Sequence, residues 1–239
     1  PERVNIDDID VYKKFDKVVC VSEIAKRSFC EIYKNECCDP NVIYNLIDVD
    51  KINELSKEEV SFNFRKPTIV SIGRLTKLKR FDMIIHAHRM LLDMGIDNDL
   101  LILGIGEDEK KLRNLIKKLN VQDSVHMLGF IDNPYPYIKN GTIFAVTSEF
   151  EGFSLVTAEA ITLGKPIVST SNGGVEELLD YGKYGKILDI DNSENMAKSI
   201  KEILSSPLQL KMYSEKCVER SNIFNHSQVL DNIYKIIEE

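Results

Sequence analysis

Residues 148–166 read SEFEGFSLVTAEAITLGKP, and the fold turns on how this stretch is read. It follows an apolar run, Ile143-Phe144-Ala145-Val146-Thr147, with the look of a buried strand. Ser154 is placed to cap the amino terminus of a helix. Gly164, just past the last helical position, and Pro166 two further on supply a stop. The stretch is therefore strand, loop, short helix, stop. Glu151 falls in the loop at the carboxyl end of the strand, and Glu159, eight positions on, in the second turn of the helix. In open α/β sheets ligands bind in the crevice at that end of the strands.

Working outward, the same unit recurs. Strands are expected at residues 68–72, 100–103, 125–128, 166–170 and 186–188. Helices are expected at 81–94, 109–119, 175–179, 195–204, 208–220 and 227–237, with a short one after the turn at 133–136. Strands alternating with helices argue a parallel α/β sheet with crossover helices. Upstream, residues 15–21 read as a strand, Ser22 caps a helix running to about 33, residues 35–40 form a turn, and 41–44 a second short strand. Residues 45–50 are turn-like, and the charged stretch around Lys57-Glu58-Glu59 reads as a linker.

Composition limits the function classes. A chain of 239 residues with 43% hydrophobic and 29% charged residues can build a sizeable globular core. The net charge of -7 argues against a broad nucleic-acid surface. The five cysteines include the adjacent pair Cys37-Cys38 and show no metal-type spacing with histidine, so they read as reduced thiols in a cytoplasmic setting. No apolar run approaches the roughly 20 residues that a membrane span needs, and no signal peptide is visible. His86 and His88 face different sides of a helix, and His126 and His226 have no visible partner.

The chemistry-bearing residues fall at strand ends. Gly73 permits a tight turn, and Arg74 and Lys79 follow on the loop before a helix, where two cations suit a diphosphate. A solvated basic face of Lys77, Lys79 and Arg80 is the competing reading. Gly104-Ile105-Gly106 lacks the third glycine of a dinucleotide fingerprint, having Glu109 instead. It reads as a close backbone approach or a turn. The carboxylates Glu151 and Glu159 suit acid and nucleophile roles in glycoside hydrolysis, hydrogen bonding to sugar hydroxyls, or mere solvation. Tyr135 and Tyr137 read as loop packing.

Taken in order, Gly73-Arg74-Leu75 with Lys79, Gly104-x-Gly106, Leu128-Gly129-Phe130, Glu151-Gly152-Phe153 with Glu159 after seven intervening residues, Gly164-x-Pro166 and Gly173-Gly174-x-x-Glu177 resemble the carboxyl-terminal half of a GT-B-fold glycosyltransferase of the family 4, or group 1, type. The resemblance implies a Rossmann-like doubly wound parallel sheet at residues 67–220, which would bind a nucleotide sugar. It further implies a remnant of the amino-terminal acceptor domain at 1–50, a linker at 51–66 and a crossover helix at 221–239. Arg80 stands where the family often has glycine, and Asn45 lacks the glycine or proline that usually follows it.

By that resemblance Glu151 contacts donor-sugar hydroxyls, Glu159 holds the ribose, and Arg74 and Lys79 neutralise the leaving diphosphate. Gly73, Gly104 and Gly106 border the donor; the amides of Phe153, Ser154 and Leu155 cradle sugar and phosphate; the backbone of Phe130 reads the base edge. No metal or other cofactor is expected. The implied reaction is retaining transfer of a hexosyl group from a sugar nucleotide, UDP-linked by family frequency, to a glycan or lipid-linked acceptor in polysaccharide biosynthesis. The partners implied are that donor, that acceptor and the rest of the amino-terminal domain, which would carry any peripheral contact with the inner face of the membrane; nucleic acid is not among them. The 239 residues alone are expected to hold a nucleotide weakly without transferring sugar. A non-catalytic sugar-nucleotide-binding subunit, and a phosphorylase or epimerase on the same fold, stay open beside the transferase.

Overall fold

The structure is a computed structural model and describes residues 9–33, 39–190, 192–224 and 226–238. Cys37, Cys38 and most of the turn placed at 35–40 lie outside them, as does the side chain of His226. The chain begins with α1 (Ile9–Tyr12), β1 (Val19–Cys20), α2 (Glu23–Tyr33), β2 (Asn41–Val42) and α3 (Val49–Leu55). The principal sheet then alternates with helices: β3 (Thr68–Ile72), α4 (Phe81–Asp93), β4 (Asp99–Leu103), α5 (Glu109–Lys118), β5 (Val125–Gly129), α6 (Tyr135–Asn140), β6 (Ile143–Val146), α7 (Leu155–Thr162), β7 (Ile167–Thr170), α8 (Gly174–Leu178) and β8 (Lys186–Leu188). Three helices close the chain: α9 (Ser193–Leu204), α10 (Pro207–Arg220) and α11 (His226–Glu238).

The six principal strands are all parallel, in the order β5-β4-β3-β6-β7-β8. Counted within this sheet alone the order is 3-2-1-4-5-6, the Rossmann arrangement, and it reverses between β3 and β6. Short apolar strands such as DLLIL in β4 suit a sheet covered on both faces. Alternate side chains go to opposite layers. Val70, Leu101, Phe144 and Ile167 pack with Ala158, Ile161 and Val175 of α7 and α8. Ile69, Leu100, Ile143 and Val168 pack with α4 and α9 through residues such as Ile84, Leu91, Met196 and Ile200.

The helix stop read from the sequence has its full hydrogen-bond pattern. Gly164, at φ +64°, donates to Ile161 O at 2.9 Å, and Lys165 N donates to Ala160 O at 3.0 Å, which is the Schellman arrangement. The cap at the other end differs from expectation. Ser154 precedes α7 at φ +68°, and its hydroxyl meets Thr157 Oγ1 at 2.8 Å instead of capping a backbone amide.

Two other expectations are corrected. The strand placed at 15–21 shrinks to β1, two residues paired in parallel with β2 (Val19 with Asn41, Cys20 with Val42). The stretch 51–66 is not a bare connector. It is entered through α3, capped by Asp48 Oδ1 accepting from Lys51 N at 3.0 Å, and its Ile52 is buried in the core with Val60, Phe62 and Phe64 packed around. The apolar spacing of Val49, Ile52 and Leu55 was hidden by the charged residues between them. At the other terminus, Val229 and Asn232 of α11 face Val42, Ile43 and Tyr44 across a small cavity.

The first segment is held to the sheet domain by directed bonds. Glu177 of α8 accepts from the amides of Glu23 and Ile24 at 2.9 and 3.1 Å and from the Tyr44 hydroxyl at 2.7 Å. A carboxylate at a helix amino terminus also meets the positive end of the helix dipole. Ser22 caps α2 by accepting from Ala25 N at 3.1 Å and donates to Gly152 O at 2.5 Å.

Candidate active site

A cleft of about 660 Å³ opens where the strand order reverses. Its walls gather Gly73 and Arg74 after β3, Gly104 and Gly106 after β4, Phe130 after β5, Tyr135 on α6, and Val156 and Glu159 on α7. Six of the residues singled out in the sequence thus meet in one place: Gly73, Arg74, Gly104, Gly106, Phe130 and Glu159. That size and mixed apolar lining suit a small organic ligand.

The glycine pair after β4 has a backbone reason. A Cβ on Gly104 would sit 1.9 Å from Gly73 O, and one on Gly106 would sit 2.4 Å from Leu75 O. The two βα loops therefore run backbone against backbone, which brings Arg74 over the cleft beside Gly104. Arg74 is exposed; its carbonyl accepts from Thr76 N at 2.8 Å, but its guanidinium has no hydrogen-bond or ion-pair partner among the described residues.

Lys79 and Glu151 stand beside the cleft as a second group. Lys79 Nζ lies 2.5 Å from Glu151 Oε1, and Ser148 Oγ donates to the same oxygen at 2.7 Å. Lys79 is thus half of an ion pair before any ligand arrives, a feature that the sequence expectation of two cations on one diphosphate did not contain. Arg80 is likewise held by carboxylates, Glu149 at 3.2 Å and Asp82 at 3.3 Å. The Glu151 backbone is fixed as firmly as its side chain: Glu151 N donates to Asn172 O at 2.9 Å, and Gly174 N donates to Glu151 O at 2.8 Å.

Phe153, Ser154 and Leu155 lead into α7. The Phe153 ring is buried, against Tyr44 at 5.8 Å and Phe224 at 6.5 Å between centroids, so only its backbone is available to a ligand. Ser154 is buried and Leu155 exposed. Glu159 is half-buried on the cleft wall; burial raises its pKa, and a hydrogen bond from Tyr135 Oη at 3.2 Å opposes that rise.

Tyr135 is the site residue that sequence reading missed, since it was taken with Tyr137 as loop packing. Tyr137 is indeed buried, whereas Tyr135 lines the cleft. A tyrosine 24 positions from its carboxylate partner leaves no local signal. Among the described residues no group of three or more histidine, cysteine, aspartate or glutamate side chains is arranged to hold a metal ion.

A family model described as "Glycosyl transferases group 1" matches residues 53–220. The chain belongs to the group 1 glycosyltransferase family. This group 1 chain is 32% identical over 197 residues to the N-acetylgalactosamine-N,N'-diacetylbacillosaminyl-diphospho-undecaprenol 4-alpha-N-acetylgalactosaminyltransferase of Campylobacter jejuni, covering 82% of this chain and 53% of the relative. It is 26% identical over 198 residues to the lipopolysaccharide core biosynthesis glycosyltransferase LpsE of Rhizobium meliloti, covering 82% of this chain and 56% of LpsE. The chain thus spans little more than half the length of these relatives. Among solved structures, Anabaena Alr3699/HepE in complex with UDP superposes with TM-score 0.88 at 20% identity, over 100% of this chain and 69% of that one. WaaG, a glycosyltransferase involved in lipopolysaccharide biosynthesis, superposes with TM-score 0.75 at 17% identity, over 86% and 58%. These likenesses establish the GT-B carboxyl-terminal fold for the group 1 chain.

Proposed function

We propose that this chain is the donor-binding half of a retaining glycosyltransferase that moves a hexosyl group from a UDP-sugar to a glycan or lipid-linked acceptor in polysaccharide biosynthesis. The observation that carries the reading is the cleft at the strand-order reversal, which the unpaired Arg74 side chain, half-buried Glu159 and the glycines Gly73, Gly104 and Gly106 line together. In this reading the nucleoside lies along Phe130 and Glu159. The carboxylate accepts hydrogen bonds from the ribose hydroxyls, and the backbone at Phe130 meets the base edge. Arg74 takes the diphosphate, with the amide end of α7 at residues 153–155 assisting. These groups supply the positive charge that the leaving diphosphate needs without a metal ion or other cofactor.

Glu151 lies next along the donor. Its carboxylate meets the sugar hydroxyls and stabilises positive charge developing at the anomeric carbon. Lys79 is shared: paired with Glu151 at 2.5 Å, it turns partly toward the diphosphate when the donor binds. The retained anomer follows from acceptor attack on the face that the leaving group vacates. The acceptor and its lipid or glycan would be held by residues of the amino-terminal domain beyond those described, and work at the inner face of the membrane in the cytoplasm fits such acceptors. Among the described residues no helix is long and apolar enough to cross a membrane. The relatives named for undecaprenol-linked and lipopolysaccharide substrates support this acceptor class.

Isothermal titration of the 239-residue chain with UDP, GDP and ADP is expected to give saturable binding, tightest for UDP. No heat with any of the three would remove the donor-site reading. In the intact enzyme, Glu151→Gln is expected to cut transfer by about 100-fold, as for loss of one charge-stabilising group, with donor affinity changed only a few-fold. Turnover at the wild-type rate would reject the catalytic role, and a product of inverted anomeric configuration would reject retention.

A further inference from the structure

Glu159 has a demanding position. A half-buried carboxylate tends to take up a proton, and a long side chain on a helix has several rotamers. A group that must accept two hydroxyl donors has to be ionised and aimed. The one hydrogen-bonded partner of its carboxylate among the described residues is the Tyr135 hydroxyl, at 3.2 Å on Oε1.

Tyr135 itself is placed with unusual rigidity. It opens α6 between Pro134 and Pro136, whose rings fix the backbone on both sides. Its amide donates to Asn133 Oδ1 at 3.2 Å, while Asn133 Nδ2 donates to Leu55 O, at the end of α3, at 3.0 Å. The phenol is therefore located by α3, by the loop after β5 and by α6 together. It also stays a donor. Burial first, then the nearby Glu159 and Asp48 carboxylates, push its pKa up to about 12. Besides Asp48 at the start of α3, the charged groups that share the pocket with Tyr135 and Glu159 are Arg74 and Asp132.

We propose that Tyr135 is the positioning residue of the nucleotide site: its hydroxyl occupies Oε1 of Glu159 and leaves Oε2 and the second lone pair of Oε1 turned to the vicinal hydroxyls of a ribonucleotide. This rests on the ribose reading of Glu159 given above and adds to it the group that makes the carboxylate selective. Without the phenol the carboxylate takes up a proton at higher pH and rotates among its conformers. A diphosphate and a base bind as before, but the ribose is recognised less well.

The test uses the intact enzyme and whichever of UDP, GDP or ADP the wild type binds most tightly, titrated from pH 5 to pH 8. The variants are Tyr135→Phe, which keeps the ring, and Glu159→Gln. For wild type, affinity falls as pH drops through the raised Glu159 pKa, because the protonated carboxyl accepts less. Tyr135→Phe is expected to bind about tenfold more weakly at pH 7, as for loss of a hydrogen bond to a charged group. Its acid midpoint moves to higher pH, and its preference for the ribonucleotide over the 2'-deoxyribonucleotide shrinks. Glu159→Gln is expected to bind weakly at every pH, with only the acid limb that protonation of the ligand's own terminal phosphate, near about pH 6, produces. Wild-type affinity and an unmoved midpoint in Tyr135→Phe, with Glu159→Gln weakened, overturn the role of Tyr135 alone. Wild-type affinity in both variants overturns the ribose reading and this inference with it.

Discussion

His88 lies wholly inside the core on α4, its Nδ1 2.9 Å from Asn98 Oδ1 and its Nε2 2.8 Å from Ser124 Oγ. Asn98 Oδ1 can only accept, so Nδ1 carries the proton and Nε2 accepts from the serine. Burial holds the imidazole neutral and lowers its pKa to about 4. The folded pKa lies below the unfolded one, so the unfolded chain takes the proton first as pH falls. Stability is therefore lost between the unfolded value of 6.5 and about 4. Between pH 7 and pH 5 this one group is expected to remove about 2 kcal/mol, by the linkage relation. Urea unfolding of wild type and His88→Gln at both pH values checks it: the wild type should lose that much more than the variant. The sequence placed His86 and His88 on different helix faces and excluded a paired metal site, but the partners of His88, 10 and 36 positions away, were not legible in it. The same holds for the Lys79–Glu151 pair, whose members are 72 positions apart. The two glutamates were legible because their spacing is local; what each one touches is not.

At the scale of elements, the loop from Glu151 to Ser154 is held by the turn at Gly173-Gly174. A Cβ on Gly174 would come within 2.6 Å of Glu151 O and 2.7 Å of Phe153 N, both backbone atoms that cannot swing away. Gly174→Ala is expected to cost about 1–3 kcal/mol, as overpacking does, and to displace Glu151. In the intact enzyme, if Glu151 has the role proposed above, sugar transfer should fall further than that loss of stability accounts for. Gly152→Ala is the control, since nothing lies within 4 Å of a Cβ there, and it should be close to neutral in both measurements. Equilibrium unfolding of the two variants, and their turnover in the intact enzyme, check the pair side by side; equal behaviour would contradict the geometry. The sequence marked Gly173-Gly174 as a motif at a strand end. That its second glycine exists to let another loop pass was decided by the bridge between Glu151 and Gly173.

Across the whole molecule, Glu177 joins the first segment to the sheet domain. Replacing it by alanine leaves two amides of α2 and the Tyr44 hydroxyl without their acceptor. An unmade hydrogen bond of this kind costs about 1–3 kcal/mol, and burial is only partial here, so the total is expected at roughly 2–4 kcal/mol. The loss should be regional. Hydrogen exchange at the Glu23 and Ile24 amides should speed up strongly in Glu177→Ala, while amides of β3, β4 and β6 keep their protection. Uniform loosening of both regions would show that Glu177 supports the core instead of the junction. Because Ser22 on the same helix boundary bonds to Gly152 O, the junction also touches the loop that carries Glu151.

The sequence by itself determined the parallel α/β class, the positions of most strands and helices in residues 67–220, and the spacing of Glu151 and Glu159. Those follow from periodicity, caps and stops, which are short-range and written in adjacent residues. Only the tertiary structure decided the strand order β5-β4-β3-β6-β7-β8, the helix in the supposed linker, the pairing of Lys79 with Glu151, the place of Tyr135 beside Glu159 and the bonds of Glu177 to α2. Each of these joins groups far apart along the chain, or depends on which face an element buries. Such choices are made by the packing of the two core layers on the sheet, and no local pattern records them.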